Sequence, residues 1–286
     1  MRQADAPDVL NYRDRGYLIV PGVLDRQVLD AVRAETTAMC RGERGAIDGV
    51  TPATDEDDAV VLRRYLCIHF PHKLSPLLLD VAREPAVVDL LTTVVGPNVK
   101  LVQSMLFIKS ENMPGQAWHQ DESHIPTRDR SLTALWIALD DATIDNGCLW
   151  VIPGSHSRGV LYPVRDTTDR RFDSTKQAYG FPHADEDAVA VEVPAGAAVV
   201  FDGHLLHRSL PNTSRGGMRR ALVLHYMSAE SLLPWFPPIG DETMATLDHR
   251  DILLVAGTDP YACKGTTDTV RPYVRPLDPT PRHEPR

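Results

Sequence analysis

A mainly β chain with flanking helices is the fold that the sequence predicts, and three observations predict it. The helical signals lie before about residue 97. From Val99 onward the apolar runs become short, β-branched or alternating: LVQSMLFI, LTALWIAL, CLWVI, AVAVEV, AAVVF and RALVLHYM. Pro, Gly, Asp and Asn separate these runs, as they punctuate strands. Helices followed by strands suit a double-sheet jelly roll, a cupin-like double-stranded β-helix with helices packed outside. A chain of 286 residues can bury one such core without dividing. The expected organisation is one domain over 1–286: a helical part to about 97, a jelly-roll core over about 98–230, and a C-terminal extension over about 231–286.

Each element has its local reason. Tyr17-Leu-Ile-Val20 reads as a strand stopped by Pro21-Gly22. Asp25 reads as an N-cap, and Val28, Leu29, Val32 and Met39 mark one face of the helix that follows. Residues 41–60 are polar and rich in Gly and Asp, so they read as loop. A second helical region starts near Ser75. Pro85 interrupts it and suits the first turn of the next helix, which ends near Gly96-Pro97. Residues 163–187 read as a long polar insertion over one end, a candidate lid. The final RPLDPTPRHEPR is rich in Pro and charge and is expected to fray.

Composition narrows the function. The formal net charge of -9 argues against a nucleic-acid partner, which calls for a basic face. No apolar run approaches the roughly 20 residues of a spanning helix, so no membrane span is expected. MRQADAPDVLNYRDRGY lacks a signal-peptide core. Cys40, Cys67, Cys148 and Cys263 are scattered, with no C-x-x-C pair. A cytoplasmic chain with free thiols is the expectation.

The chemistry lies in His119-Gln120-Asp121, with His207 and Arg219 far downstream. In a strand, residues i and i+2 face the same way, so His119 and Asp121 can both point into a barrel while Gln120 points away. Two imidazoles and a carboxylate form a facial triad that suits non-haem Fe(II) and leaves positions open for a keto acid and O2. H-x-D alone is a common chance match, but the later segment changes its weight. His207 stands in H-x-S-x-x-N, and Ser209 would share its face and could hydrogen-bond a carboxylate. Arg219 opens the next strand, and its planar fork can bind both oxygens of that carboxylate. His204 is the decoy histidine. Arg220 is the rival to Arg219, facing the other way by one residue. The set reads as a 2-oxoglutarate-dependent oxygenase.

The remaining candidates read more plainly. Gln103 lies on a strand whose alternate residues face the cavity and is a candidate substrate or cofactor contact. Asn146-Gly147 reads as a turn, His156 as a loop histidine and Trp150 as core. Lys109 and the charges of 165–173 read as solvated.

The stretches VQSMLFIK, WHQD, LWIALDDATIDNGCLWVIPGSH, HRSLPN and RRALVLHY occur in that order. Together they resemble the phytanoyl-CoA dioxygenase superfamily of Fe(II)/2-oxoglutarate oxygenases, from Asp14 to about Ser228. The resemblance implies iron ligands at His119, Asp121 and His207. It implies 2-oxoglutarate contacts at Arg219, Ser209 and Trp136, with Met105 lining the same pocket. It also implies an early basic residue reaching the iron-side carboxylate, for which Arg63 or Arg64 is the candidate. The implied cofactors are Fe(II), 2-oxoglutarate and O2, with ascorbate as a candidate reductant. The implied partner is a small-molecule substrate oxidised at an unactivated C–H, by hydroxylation or oxidative cyclisation, as in natural-product tailoring. The alternatives are an acyl-CoA hydroxylase of lipid catabolism, a cupin-like metal protein without 2-oxoglutarate chemistry, and a non-catalytic relative that keeps its iron for structure.

Overall fold

The computed structural model describes residues 6–232, 252–266, 268 and 270–275. Five helices come first, interleaved with two strands: α1 (Ala6–Arg15), β1 (Tyr17–Val20), α2 (Arg26–Cys40), α3 (Asp58–Leu62), β2 (Cys67–His69), α4 (Pro76–Ala82) and α5 (Pro85–Val94). Asp25 caps α2 by accepting from the Val28 amide at 2.9 Å. Leu29, Val32 and Met39 are buried on one face, and Val28 packs against the same cluster. Ser75 caps α4, whose first residue is Pro76, and Pro85 opens α5. The loop expected over 41–60 extends only to Asp57. That residue caps α3, a single turn too short to show a helical period.

The strands follow: β3 (Val99–Ser110), β4 (Gln116–His119), β5 (Thr133–Ala138), β6 (Leu149–Val151), β7 (Val164–Arg165), β8 (Gln177–Ala178), β9 (Val189–Val191), β10 (Ala198–Asp202), β11 (His207–Ser209), β12 (Met218–Ser228), β13 (Leu253–Ala256) and β14 (Tyr273–Val274). The larger sheet runs β1-β10-β5-β12-β3-β2-β14, with β13 also on β3. The smaller runs β4-β11-β6-β9. The pairs between these named strands are antiparallel, and the two sheets form the jelly roll. The expected helical part thus lends two strands to the large sheet, and the C-terminal extension lends two more.

Alternation sorts the sheet's two faces. Leu106, Ile108, Leu222 and Leu224 pack outward against the helices, with Leu29, Leu78 and Leu91. Met105, Ala221, Val223, Trp136 and Phe201 pack inward, toward the small sheet's Leu149 and Val151. The cavity lies between the sheets, and its large-sheet wall comes from alternate residues of β3 and β12, with Trp136 of β5 and Phe201 of β10.

Two charge expectations are corrected. Lys109 is buried because it lies on the inward face of β3, in register with Arg219. Asp173 is buried because the 163–187 segment lies against the barrel. The Gly115 amide donates to the Arg171 carbonyl, and the Asp173 amide donates to that of Gly115. Arg275, first residue of the stretch expected to fray, is also held. Its amide donates to the Cys67 carbonyl and its guanidinium to Asp173 at 2.8 Å. Residues 276–286 lie outside the described residues. Among the described residues, no helix is long and apolar enough to cross a membrane.

Candidate metal and co-substrate site

His119 ends β4, and His207 begins β11 directly opposite it. Their ring centroids are 4.0 Å apart. Each ring is oriented the same way. His119 Nδ1 donates to the Ala117 carbonyl at 2.8 Å, and His207 Nδ1 to that of Leu205 at 2.9 Å. A carbonyl only accepts, so Nδ1 of each ring carries a proton and Nε2 is the nitrogen that faces the site. Asp121 enters from the short 3₁₀ turn that follows β4. Its Oδ1 lies 3.7 Å from His119 Nε2 and 3.6 Å from His207 Nε2.

The electrostatics fit a cation at this point. Burial, reinforced by His207, holds the His119 imidazole far below its usual pKa and therefore neutral. Burial raises the Asp121 pKa, but His207, His225 and His119 outweigh it and hold the carboxyl far below its usual range. One potential ligand atom from each of the three residues lies within 4.8 Å of the others. Two imidazoles and one carboxylate are the donor set of a non-haem Fe(II) site.

The cleft above the triad holds about 570 Å³ of empty volume, including open solvent at its mouth. Arg219 lines it and is only 2% exposed. Its Nη2 donates to the Gly147 carbonyl at 3.0 Å, its Nε has no partner, and its charge lies over the Trp136 ring, 5.5 Å from the centroid. Burial lowers its pKa to about 10. Among the described residues, no carboxylate lies within ion-pairing distance of Arg219. A buried guanidinium in that state has N–H donors free to meet an anion.

The model of the phytanoyl-CoA dioxygenase (PhyH) family matches residues 12–221. The chain belongs to the phytanoyl-CoA dioxygenase family. Phytanoyl-CoA dioxygenase 1 of Oryza sativa subsp. japonica is 36% identical over 164 residues, which is 57% of this chain and 57% of the rice protein. This chain therefore matches little more than half the length of that relative. Phytanoyl-CoA dioxygenase domain-containing protein 1 of Danio rerio is 28% identical over 276 residues, 80% of this chain and 92% of its own. Among solved structures, the epimerase SnoN in complex with Fe3+, alpha ketoglutarate and nogalamycin RO superposes with a TM-score of 0.60 at 21% identity. That match covers 89% of this chain and 96% of SnoN.

In this phytanoyl-CoA dioxygenase family member, the cleft collects His119, Asp121, His207, Ser209, Arg219, Trp136 and Met105. Gln103 is not in its wall; the amide instead meets His69 Nδ1 at 3.3 Å. Arg63 and Arg64 are exposed, and Arg64 pairs with Glu56 at the surface. The apolar Leu66 reaches the cleft from that region. Arg220 points to the other face and binds Asp140 through two bonds of 2.8 Å. His204 stays outside the triad, with Nδ1 3.6 Å from Asp202 and 4.0 Å from Glu122. His156 meets the Arg13 carbonyl as a loop residue. Gln120 points away and ties down the segment beyond β6, donating to Val160 and accepting from Tyr162.

Sequence reasoning missed His225, whose Nε2 lies 3.1 Å from Asp121 Oδ2. It also missed the cleft residues Lys109 and Asp173. Alternation carried the signal for two of these. Counting by twos from Arg219 reaches His225, and from Met105 reaches Lys109. Asp173 stands in a loop, where no period exists to follow.

Proposed function

We propose that this chain is an Fe(II)- and 2-oxoglutarate-dependent oxygenase acting on an unactivated C–H of a small molecule, and that one catalytic domain performs the reaction. The observation that carries the reading is a buried, unpaired Arg219 in the same cleft as an oriented His-Asp-His set. A metal site alone would explain the three ligands and leave the arginine without purpose.

His119, Asp121 and His207 hold the iron, through two Nε2 atoms and a carboxylate oxygen. Arg219 and Ser209 hold the distal carboxylate of 2-oxoglutarate, with Trp136 and Met105 as the apolar wall beside it. When bound, Fe(II) and the keto acid activate O2 and supply the oxidising power, with 2-oxoglutarate leaving as succinate and CO2. The chain's own work is positioning. The Ala117 and Leu205 carbonyls fix the imidazoles, His225 fixes Asp121, and Val223, Phe201 and Leu149 keep water from the reacting face.

A small metabolite fits the mouth better than an acyl-CoA. Arg208, which lines the cleft, already pairs with Asp185, and the cleft residue Asp173 is already paired with Arg275. A CoA diphosphate would have to break these pairs. Succinate release with Fe(II) and 2-oxoglutarate, screened over metabolites and acyl-CoA esters, tests both levels. We expect stimulation by a metabolite class. Stimulation by acyl-CoA alone would replace the substrate reading, and no succinate under any condition would remove the reaction.

A further inference from the structure

Lys109 is the second buried cation of the cleft. It stands directly across from Arg219 in the β3–β12 register, and both are 2% exposed. Among the described residues, neither has an acid within ion-pairing distance. Like charges opposite one another in a sheet repel, and burial without a counter-charge adds to that cost. Burial and Arg219 both press the Lys109 pKa down, with Asp173 opposing. The turn at Asn146-Gly147 closes over the pair. The Gly147 carbonyl takes Arg219, and a Cβ at Gly147 would come within 3.0 Å of Lys109 Nζ and 2.4 Å of the Leu210 carbonyl. The backbone φ there is +81°, so glycine is required twice over.

The hydrogen bonds of Lys109 give the arrangement a purpose. Its Nζ donates to Ser209 Oγ at 2.9 Å and to the Leu210 carbonyl at 2.7 Å. The Gln116 amide donates to the same Ser209 Oγ at 3.3 Å. A hydroxyl has two acceptor positions and one proton. While Lys109 is protonated, both positions on Ser209 are taken by groups that can only donate, so its proton must go to a third acceptor.

We propose that Lys109 is a positioning residue for the co-substrate's distal carboxylate: it occupies an acceptor position of Ser209 and so turns the serine proton toward the anion held by Arg219. This rests on the 2-oxoglutarate reading above. The carboxylate would then receive charge-assisted bonds from Arg219 and a committed O–H donor from Ser209, with the Lys109 charge close behind.

The test is the dissociation constant of two keto acids for the anaerobic Fe(II)-loaded protein. One is 2-oxoglutarate. The other is 2-oxobutyrate, which lacks the distal carboxylate. Lys109→Met should weaken 2-oxoglutarate by about tenfold or more and leave 2-oxobutyrate and Fe(II) affinity unchanged. A merely structural lysine would disturb all three or none. Because Lys109 acts through the hydroxyl, Lys109→Met and Ser209→Ala should fail to add, the double variant binding much as the weaker single one does. If Lys109→Met does not fold, Lys109→Leu removes the N–H donor in the same way, and a weakening selective for 2-oxoglutarate is again required. Unchanged 2-oxoglutarate affinity in the lysine variant, with Arg219→Ala weakened, overturns this proposal alone. Fully additive effects of Lys109 and Ser209 overturn it as well. Unchanged affinity in Arg219→Ala overturns the underlying reading.

Discussion

The imidazole of His225 reaches Asp121 Oδ2 at 3.1 Å and leaves Oδ1 facing the two histidine nitrogens. Groups that orient a ligand in this way typically matter by about 10–100-fold in metal affinity or activity. His225→Phe should therefore weaken Fe(II) by that range in a metal titration while 2-oxoglutarate stays dependent on Arg219. Iron affinity equal to wild type would assign His225 to packing alone. The ligands themselves should be less forgiving. Asp121→Ala or His207→Ala should cut substrate oxidation by more than about a hundredfold, whereas His204→Ala should keep its iron, as metal analysis of the purified variants would record. Loss of iron from His204→Ala but not from His207→Ala would reverse the assignment.

At the scale of elements, the triad depends on how closely β4 approaches β11. A Cβ at Gly115 would lie 2.0 Å from the Ser209 carbonyl oxygen, a clash with backbone that cannot rotate away. Gly115→Ala should push the strands apart at Ser209, two residues along β11 from where His207 faces His119, lowering both the melting temperature and Fe(II) affinity. A variant of wild-type stability and iron content would show that the two strands tolerate separation. The same scale explains what was legible in the sequence. Strands of five residues or more show their period, so the large sheet's β3, β5, β10 and β12 were readable. Asp25, Ser75 and Pro85 marked helix starts because their local chemistry acts within a turn. The pairs β2 with β14 and β7 with β8 were not readable, since strands of two or three residues have no period and owe their existence to partners far away in the chain. Lys109 and Asp173 were read as solvated for a related reason: their burial comes from the register of β12 and from the segment against Gly115, neither of which is local. The triad was legible because chemistry limits which residue types can hold iron.

At the scale of the whole molecule, Arg275 ties the C-terminal strand to the 163–187 segment. It joins β14 to the 163–187 segment through Asp173 at 2.8 Å and Thr175 at 3.2 Å, and it lies over the Phe107 ring of β3. The Asp173 side chain is only 1% exposed, so removing the cation strands a buried carboxylate. Arg275→Ala should cost about 3–5 kcal/mol in denaturant unfolding and speed amide exchange over 163–187. Arg275→Ala combined with Asp173→Asn should recover part of that loss. Full stability in the single variant would mean that Asp173 finds another partner. The proposed 2-oxoglutarate chemistry depends most directly on Arg219. Calorimetric titration of 2-oxoglutarate into the anaerobic Fe(II)-loaded protein should show one saturable site in wild type, unchanged in Arg220→Ala. In Arg219→Ala it should be weakened by at least about thirtyfold, the lower end of a lost buried charge pair. Equal affinity in wild type and Arg219→Ala, or no binding in either, would contradict it.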